Sequence, residues 1–199
     1  MKKIIMLLTM LLVSLNSQAT LLSVELNQDS YQVGDVLTAD FIISDIEEDS
    51  LGFQKLLATF DFTLSWDNSI TDYVSSSFGN KLNVGLGGSD QSAFDIMTDS
   101  ASLSEISYAW WDELLPVQDG LSQFVLASVN FNVTSVGTGL LNLTNVSFGD
   151  DFGVSFADVS SNNTSFIVNS SGPVDIPEPM TMVLMLVALT LLARQRNLN

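Results

Sequence analysis

The sequence predicts an all-β protein: an antiparallel two-sheet sandwich of the jelly-roll kind with eight or nine strands. Three observations carry this expectation. Apolar and polar residues alternate with a period of two through the middle of the chain, turn residues punctuate the runs, and no middle segment shows a helical stripe beyond a single turn near Asp90 to Met97.

In order along the chain, Val33-Gly34-Asp35 is a turn that leads into a strand with Leu37, Ala39, Phe41 and Ile43 on one face. Ala58, Phe60, Phe62, Leu64 and Trp66 then alternate with Thr59, Asp61, Thr63 and Ser65, and Trp66-Asp67-Asn68 ends the run. Glycines between 85 and 88 mark a further turn. Ile106, Tyr108 and Trp110 predict another inward face, as do Val125, Ala127, Val129, Phe131 and Val133. In "LLNLTNVSFGDDFG" the apolar positions 141 and 143 jump to 146 and 148, so one extra residue near Thr144-Asn145 predicts a β-bulge.

Composition narrows the chemistry. The 199 residues are 46% hydrophobic and include no Cys and no His. Disulfides, thiol nucleophiles, thiolate metal sites, imidazole bases and imidazole metal ligands are all excluded. Carboxylate chemistry and oxygen-ligated cations remain. Lys2, Lys3, Arg194 and Arg196 sit at the two ends, leaving Lys55 and Lys81 against 23 Asp and Glu in between, a net of −21. That field repels phosphate backbones, so no nucleic-acid partner is expected.

The ends read as addresses. Residues 1–19 pair two lysines with an apolar run from Ile4 to Val13 and the small residues Ser17 and Ala19, predicting a signal peptide cleaved between Ala19 and Thr20. Residues 20–170 form the sandwich domain, and 171–179 form a spacer containing Pro177, Glu178 and Pro179. Residues 180–199 form a hydrophobic helix with a basic tail. Its apolar part, Met180 to Ala193, is about 21 Å long as helix, short of the roughly 30 Å hydrocarbon core. Arg194 and Arg196 supply the positive-inside signature, which holds the tail in the membrane with its end in the cytoplasm.

Two resemblances sharpen this reading. "IPEPMTMVLMLVALTLLARQR" resembles the PEP-CTERM sorting signal: a Pro-Glu-Pro triplet, a short hydrophobic helix and a basic end. The resemblance implies recognition by an exosortase-type processing enzyme in a Gram-negative bacterium that makes extracellular polysaccharide. It also implies export, transient membrane anchoring, and delivery to the cell surface or matrix. "YQVGDVLTADFIISDI", "LLATFDFTLSWDNSITDYVSS" and "LASVNFNVTSVGTGLLNLTNVSFGD" resemble, in that order, segments of cohesin domains. Cohesins and the related carbohydrate-binding sandwiches are noncatalytic. This second resemblance implies a dockerin-like module or an extracellular polysaccharide as partner, and it transfers no individual contact residue.

Candidate site residues follow from side-chain chemistry. If Trp110 faces the core of a strand, Trp111 faces out, where a flat indole can stack on a sugar ring; the alternative is packing beneath the loop "DELLPVQDG". Two acidic clusters, Asp45, Glu47 and Asp49 in one and Asp150 and Asp151 in the other, could ligate Ca²⁺, although neither has EF-hand spacing; the alternative is solvated loops. Glu105, Asp112 and Glu113 lie close in sequence to the Trp pair, but a glycosidase dyad needs a buried carboxyl and nothing in the sequence argues for burial there, so no catalytic residue is expected.

Overall fold

The computed structural model describes residues 19–170. Pro177, Glu178, Pro179, Arg194 and Arg196, and with them the expected signal peptide and hydrophobic helix, lie outside the described residues. No helix among the described residues is long and apolar enough to cross a membrane.

The described residues form eleven strands and one helix: β1 (Thr20–Leu26), β2 (Ser30–Gln32), β3 (Val36–Ser44), β4 (Leu57–Trp66), β5 (Thr71–Phe78), β6 (Ser89–Phe94), β7 (Ser100–Ser107), α1 (Trp111–Gln118), β8 (Gln123–Val133), β9 (Gly137–Asp150), β10 (Val159–Ser161) and β11 (Thr164–Asn169). They build a two-sheet sandwich. One sheet has the order β10-β1-β3-β8-β5 and the other β2-β11-β9-β4-β7-β6. Pairing is antiparallel except at β1–β10 and β2–β11, where three-residue strands pair in parallel. These short strands account for the excess over eight or nine, since three residues are too few to show a period in the sequence.

The inner faces meet in one core. Leu37, Ala39, Phe41 and Ile43 of β3 face Phe60, Phe62 and Leu64 of β4, all at most 1% exposed. The Phe41 and Phe62 rings lie 4.9 Å apart and Phe60 stacks on Phe62 at 5.9 Å. Burial of this apolar area is the main driving force for closing two sheets on each other. The expected bulge is present: against β4 the register of β9 jumps between the Asp61–Ser147 and Thr63–Thr144 pairs, with Asn145 left-handed at φ 54. Asn tolerates that conformation because its short polar side chain pairs locally; here Nδ2 lies 3.4 Å from Thr63 Oγ1.

Four expectations fail. In β8, Ala127, Val129, Phe131 and Val133 face the core as expected but Val125 does not, because a register shift against Phe41 and Ile42 of β3 turns Phe124 and Leu126 inward instead. The inward face of β7 is Ala101, Leu103 and Glu105, whereas Ile106, Tyr108 and Trp110 are 49%, 58% and 75% exposed. The strand keeps its period but in the opposite phase, because Ala101 and Leu103 are the residues aligned with Leu64 and Phe62 of β4. Asp90 to Met97 is mostly strand β6 and not a helical turn. The Trp pair and "DELLPVQ" do not form strand and loop: Trp110 is the N-cap and Trp111 the first residue of α1.

Candidate functional site

The short helix α1 exists because three side chains hold it. Glu113 accepts the Trp110 backbone N–H at Oε2 (3.0 Å), half of a capping box, and its Oε1 receives Leu86 N–H at 3.3 Å. Leu114, fully buried, packs with Leu56 and Ala58. Gln118, also fully buried, accepts Leu57 N–H at 2.7 Å and donates to Leu57 O at 2.8 Å and Lys81 O at 3.1 Å. Glu113 is therefore spent on capping. An eight-residue helix is unstable alone, so these tertiary anchors decide its existence.

With α1 so placed, Trp111 and Leu115, one turn apart, face a cleft whose other walls are two loops. The loop after β3 turns on Asp49, whose Oδ1 accepts Leu51 N–H (2.8 Å) and Phe53 N–H (3.0 Å). The Phe53 and Leu51 bonds hold the Asp49 carboxyl below the usual range. The loop after β9 repeats the device: Asp150 Oδ1 accepts Phe152 N–H (3.0 Å) and Val154 N–H (2.8 Å). The cleft holds about 210 Å³ and is lined by Asp49, Gln54, Lys55, Asp150, Asp151 and Phe152 together with the helix residues.

The sequence-predicted residues thus partly converge. Trp111, Asp49, Asp150 and Asp151 share this cleft, whereas Asp45 and Glu47 are not in its lining. Glu47 instead pairs with Lys55 and accepts Ala157 N–H at 3.0 Å. Lys55 also lies 4.0 Å from Asp150 Oδ2 and 5.3 Å from the Phe156 ring centre, so one lysine ties the two acidic clusters together. Burial pushes the Asp151 carboxyl up, and the neighbouring Asp150 adds to the shift. Among the described residues no group of three or more acidic side chains is disposed to hold a metal ion. Thr20 begins β1, with its N–H on Asp158 O at 2.9 Å.

Sequence reasoning missed Gln54, Lys55, Leu115 and Phe152. The available signal was a phenylalanine inside each acidic turn, in "DSLGF" and "DDFG", which a purely solvated loop does not need; Phe53 and Phe152 are 68% and 82% exposed.

A second candidate surface is the outer face of β9-β4-β7-β6. Cross-strand registers set Ser92, Ser104, Asp61 and Ser147 in one row and Phe94, Ser102, Thr63 and Thr144 in the next. Ser100, Ser65 and Asn142 continue the pattern. Most side chains in these rows are short. Burial pushes the Asp61 carboxyl up. Elsewhere, Glu105 is only 1% exposed, against the expectation of an unburied carboxyl. Burial raises its pKa against the opposing hydrogen bonds from Ser89 Oγ (2.6 Å) and Gln91 Nε2 (2.9 Å), and its Oε2 has no partner. Glu113, its would-be partner in a hydrolytic pair, caps α1.

No protein-family model and no curated protein matches the sequence. Solved structures do. A cohesin module from a Clostridium perfringens family 33 glycoside hydrolase superposes with a TM-score of 0.60 at 13% identity, covering 78% of this chain and 100% of that one. The fold is cohesin-like. A non-cellulosomal cohesin from Archaeoglobus fulgidus (TM-score 0.55, 15% identity, 76% and 92% coverage) has the same architecture. So does the sixth cohesin of Acetivibrio cellulolyticus scaffoldin B, solved in complex with a Cel5 dockerin (0.56, 16%, 76% and 99%). At these identities the likeness concerns the cohesin-like sandwich and not its contacts.

Proposed function

We propose that this chain is a noncatalytic, exported binding module whose cohesin-like sandwich docks a dockerin-like protein on the outer face of β9-β4-β7-β6. The observation that carries this reading is the character of that face. The described residues hold two lysines against 21 Asp and Glu, a net of −19, yet the central strands of this face present mainly hydroxyls, with Asp61 the one carboxylate among them and Asp90 at the β6 edge. Short side chains lose little rotamer entropy on contact and leave a plane that a rigid partner can cover. Phe94 and Ile106, 42% and 49% exposed, add apolar contact at one side. Structural relatives solved with dockerins support the choice of partner.

The terminal segments supply the rest of the proposal. The N-terminal signal exports the chain, and the tail bearing Pro177, Glu178, Pro179, Arg194 and Arg196 presents it to an exosortase-type enzyme. The processed module then works at the surface or in the polysaccharide matrix of a Gram-negative cell. Isothermal titration against dockerin modules of the producing organism tests the docking face: stoichiometric binding is expected, at least tenfold weaker for Thr63→Arg. Absence of binding to every such module overturns it. Deleting residues 177–199 is expected to redistribute the protein between membrane and medium; an unchanged distribution defeats the sorting role.

A further inference from the structure

We infer that the cleft beneath Trp111 is a saccharide site, distinct from the sheet face, that takes one pyranose ring of an uncharged or amine-bearing polysaccharide. The inference does not depend on a dockerin partner.

Shape argues first. At about 210 Å³ the cleft is too small for a helix of roughly 10 Å diameter. It has room for a single ring and its substituents. Its walls then divide as sugar recognition requires. A pyranose presents C–H groups on its faces and hydroxyls around its edge, so a complementary site pairs an aromatic plane with fixed polar groups. Trp111 supplies the plane, 56% exposed and carried on a helix anchored at Leu114 and Gln118, with exposed Phe152 on the opposing loop. Asp49, Asp150 and Asp151 supply acceptors. Asp49 and Asp150 are each pinned by two backbone N–H groups on Oδ1, so they are already ordered before a ligand arrives. Gln54, also in the lining, buries an amide Nε2 with no partner. An unpaired buried donor is costly, and a rotation of this side chain toward an incoming hydroxyl oxygen would satisfy it.

Charge selects among sugars. Lys55, the only cation in the lining, is taken up by Glu47 and lies 4.0 Å from Asp150. An incoming uronate would therefore meet three carboxylates with no free cation and is excluded. A hexosamine ammonium would be drawn in, as would, more weakly, a neutral hexose.

Isothermal titration of the full chain in detergent tests this with β-1,4-linked tetrasaccharides of glucosamine and glucose, the α-1,4-linked tetrasaccharide of galacturonic acid, and pentalysine as a peptide control. Expected is binding in the order glucosamine, then glucose, with none for galacturonate. Trp111→Ala should weaken glucosamine binding at least tenfold at an unchanged melting temperature, and Asp151→Asn should bring glucosamine down toward glucose. Failure of both the glucosamine and glucose tetrasaccharides to bind overturns the inference, as does galacturonate binding equal to glucosamine. Binding that survives Trp111→Ala reports only the general negative field and also overturns it. So does pentalysine binding of equal strength that depends on Trp111, which would make the cleft a peptide site. Each of these results leaves the dockerin titration to be judged separately.

Discussion

Replacing Gln118 should release α1 and with it the Trp111 cleft. The side chain is fully buried and makes three hydrogen bonds to backbone 61 and 37 residues away in sequence. Two of its partners are the N–H and C=O of Leu57, a residue with no exposed surface; the third, Lys81 O, is partly exposed and adds little. A buried backbone group stripped of its partner costs about 1–3 kcal/mol, so orphaning two costs about 2–6 kcal/mol. Gln118→Met keeps the volume and loses the bonds, which separates hydrogen bonding from cavity formation. We expect Gln118→Met to lose about 3 kcal/mol, or about 6–12 °C in melting temperature for a domain of this size. The loss is capped by the docking energy of α1, because beyond that the helix simply detaches. Urea unfolding followed by tryptophan fluorescence measures it. A Gln118→Met protein within about 1 kcal/mol of wild type would mean that the Leu57 groups had found other partners and that these bonds do not hold α1.

Three further outcomes are expected. The Glu105 carboxyl is held above its ordinary value of 4.5 by burial, so its contribution to stability is present below that pH and lost as pH rises through the raised value; Glu105→Gln should therefore gain on wild type in thermal melts as pH rises from about 4 to 7, and a constant gap would contradict this. A Cβ at Gly139 would lie 2.1 Å from Phe166 Cζ, whose ring is 2% exposed and edge-on to Tyr31 at 5.9 Å, so Gly139→Ala should cost about 1–3 kcal/mol by calorimetry; wild-type stability would show that the ring gives way freely. With a net of −19 on the described residues, NaCl should raise the melting temperature, and CaCl₂ at matched ionic strength should do no more; an excess with Ca²⁺ would reveal a cation site.

Much of the sandwich was legible because strand patterning is local. The alternation from Ala58 to Trp66 reads directly as β4, and a jump of three where two is normal reads as the Asn145 bulge. β7 was legible as a strand but not in phase. Its two faces carry Ala101, Leu103 and Glu105 against Ser102, Ser104 and Ile106, and only pairing with β4 decides which set turns inward. α1 was illegible because its stability comes from Leu114 packing and Gln118 bonding to a strand sixty residues earlier, not from its own eight residues.

The class of fold, the absence of imidazole and thiol chemistry and the sign of the surface field were all readable in advance, since each depends on composition or on spacing between near neighbours. It took the folded arrangement to bring Trp111, the Asp49 turn and the Asp150 turn into one cleft, to tie Glu47 to the Asp150 side through Lys55, and to turn Glu105 inside. Those arrangements rest on contacts between segments up to about a hundred residues apart. Their distances are set by how two sheets close on a common core, a quantity that no local window of sequence contains.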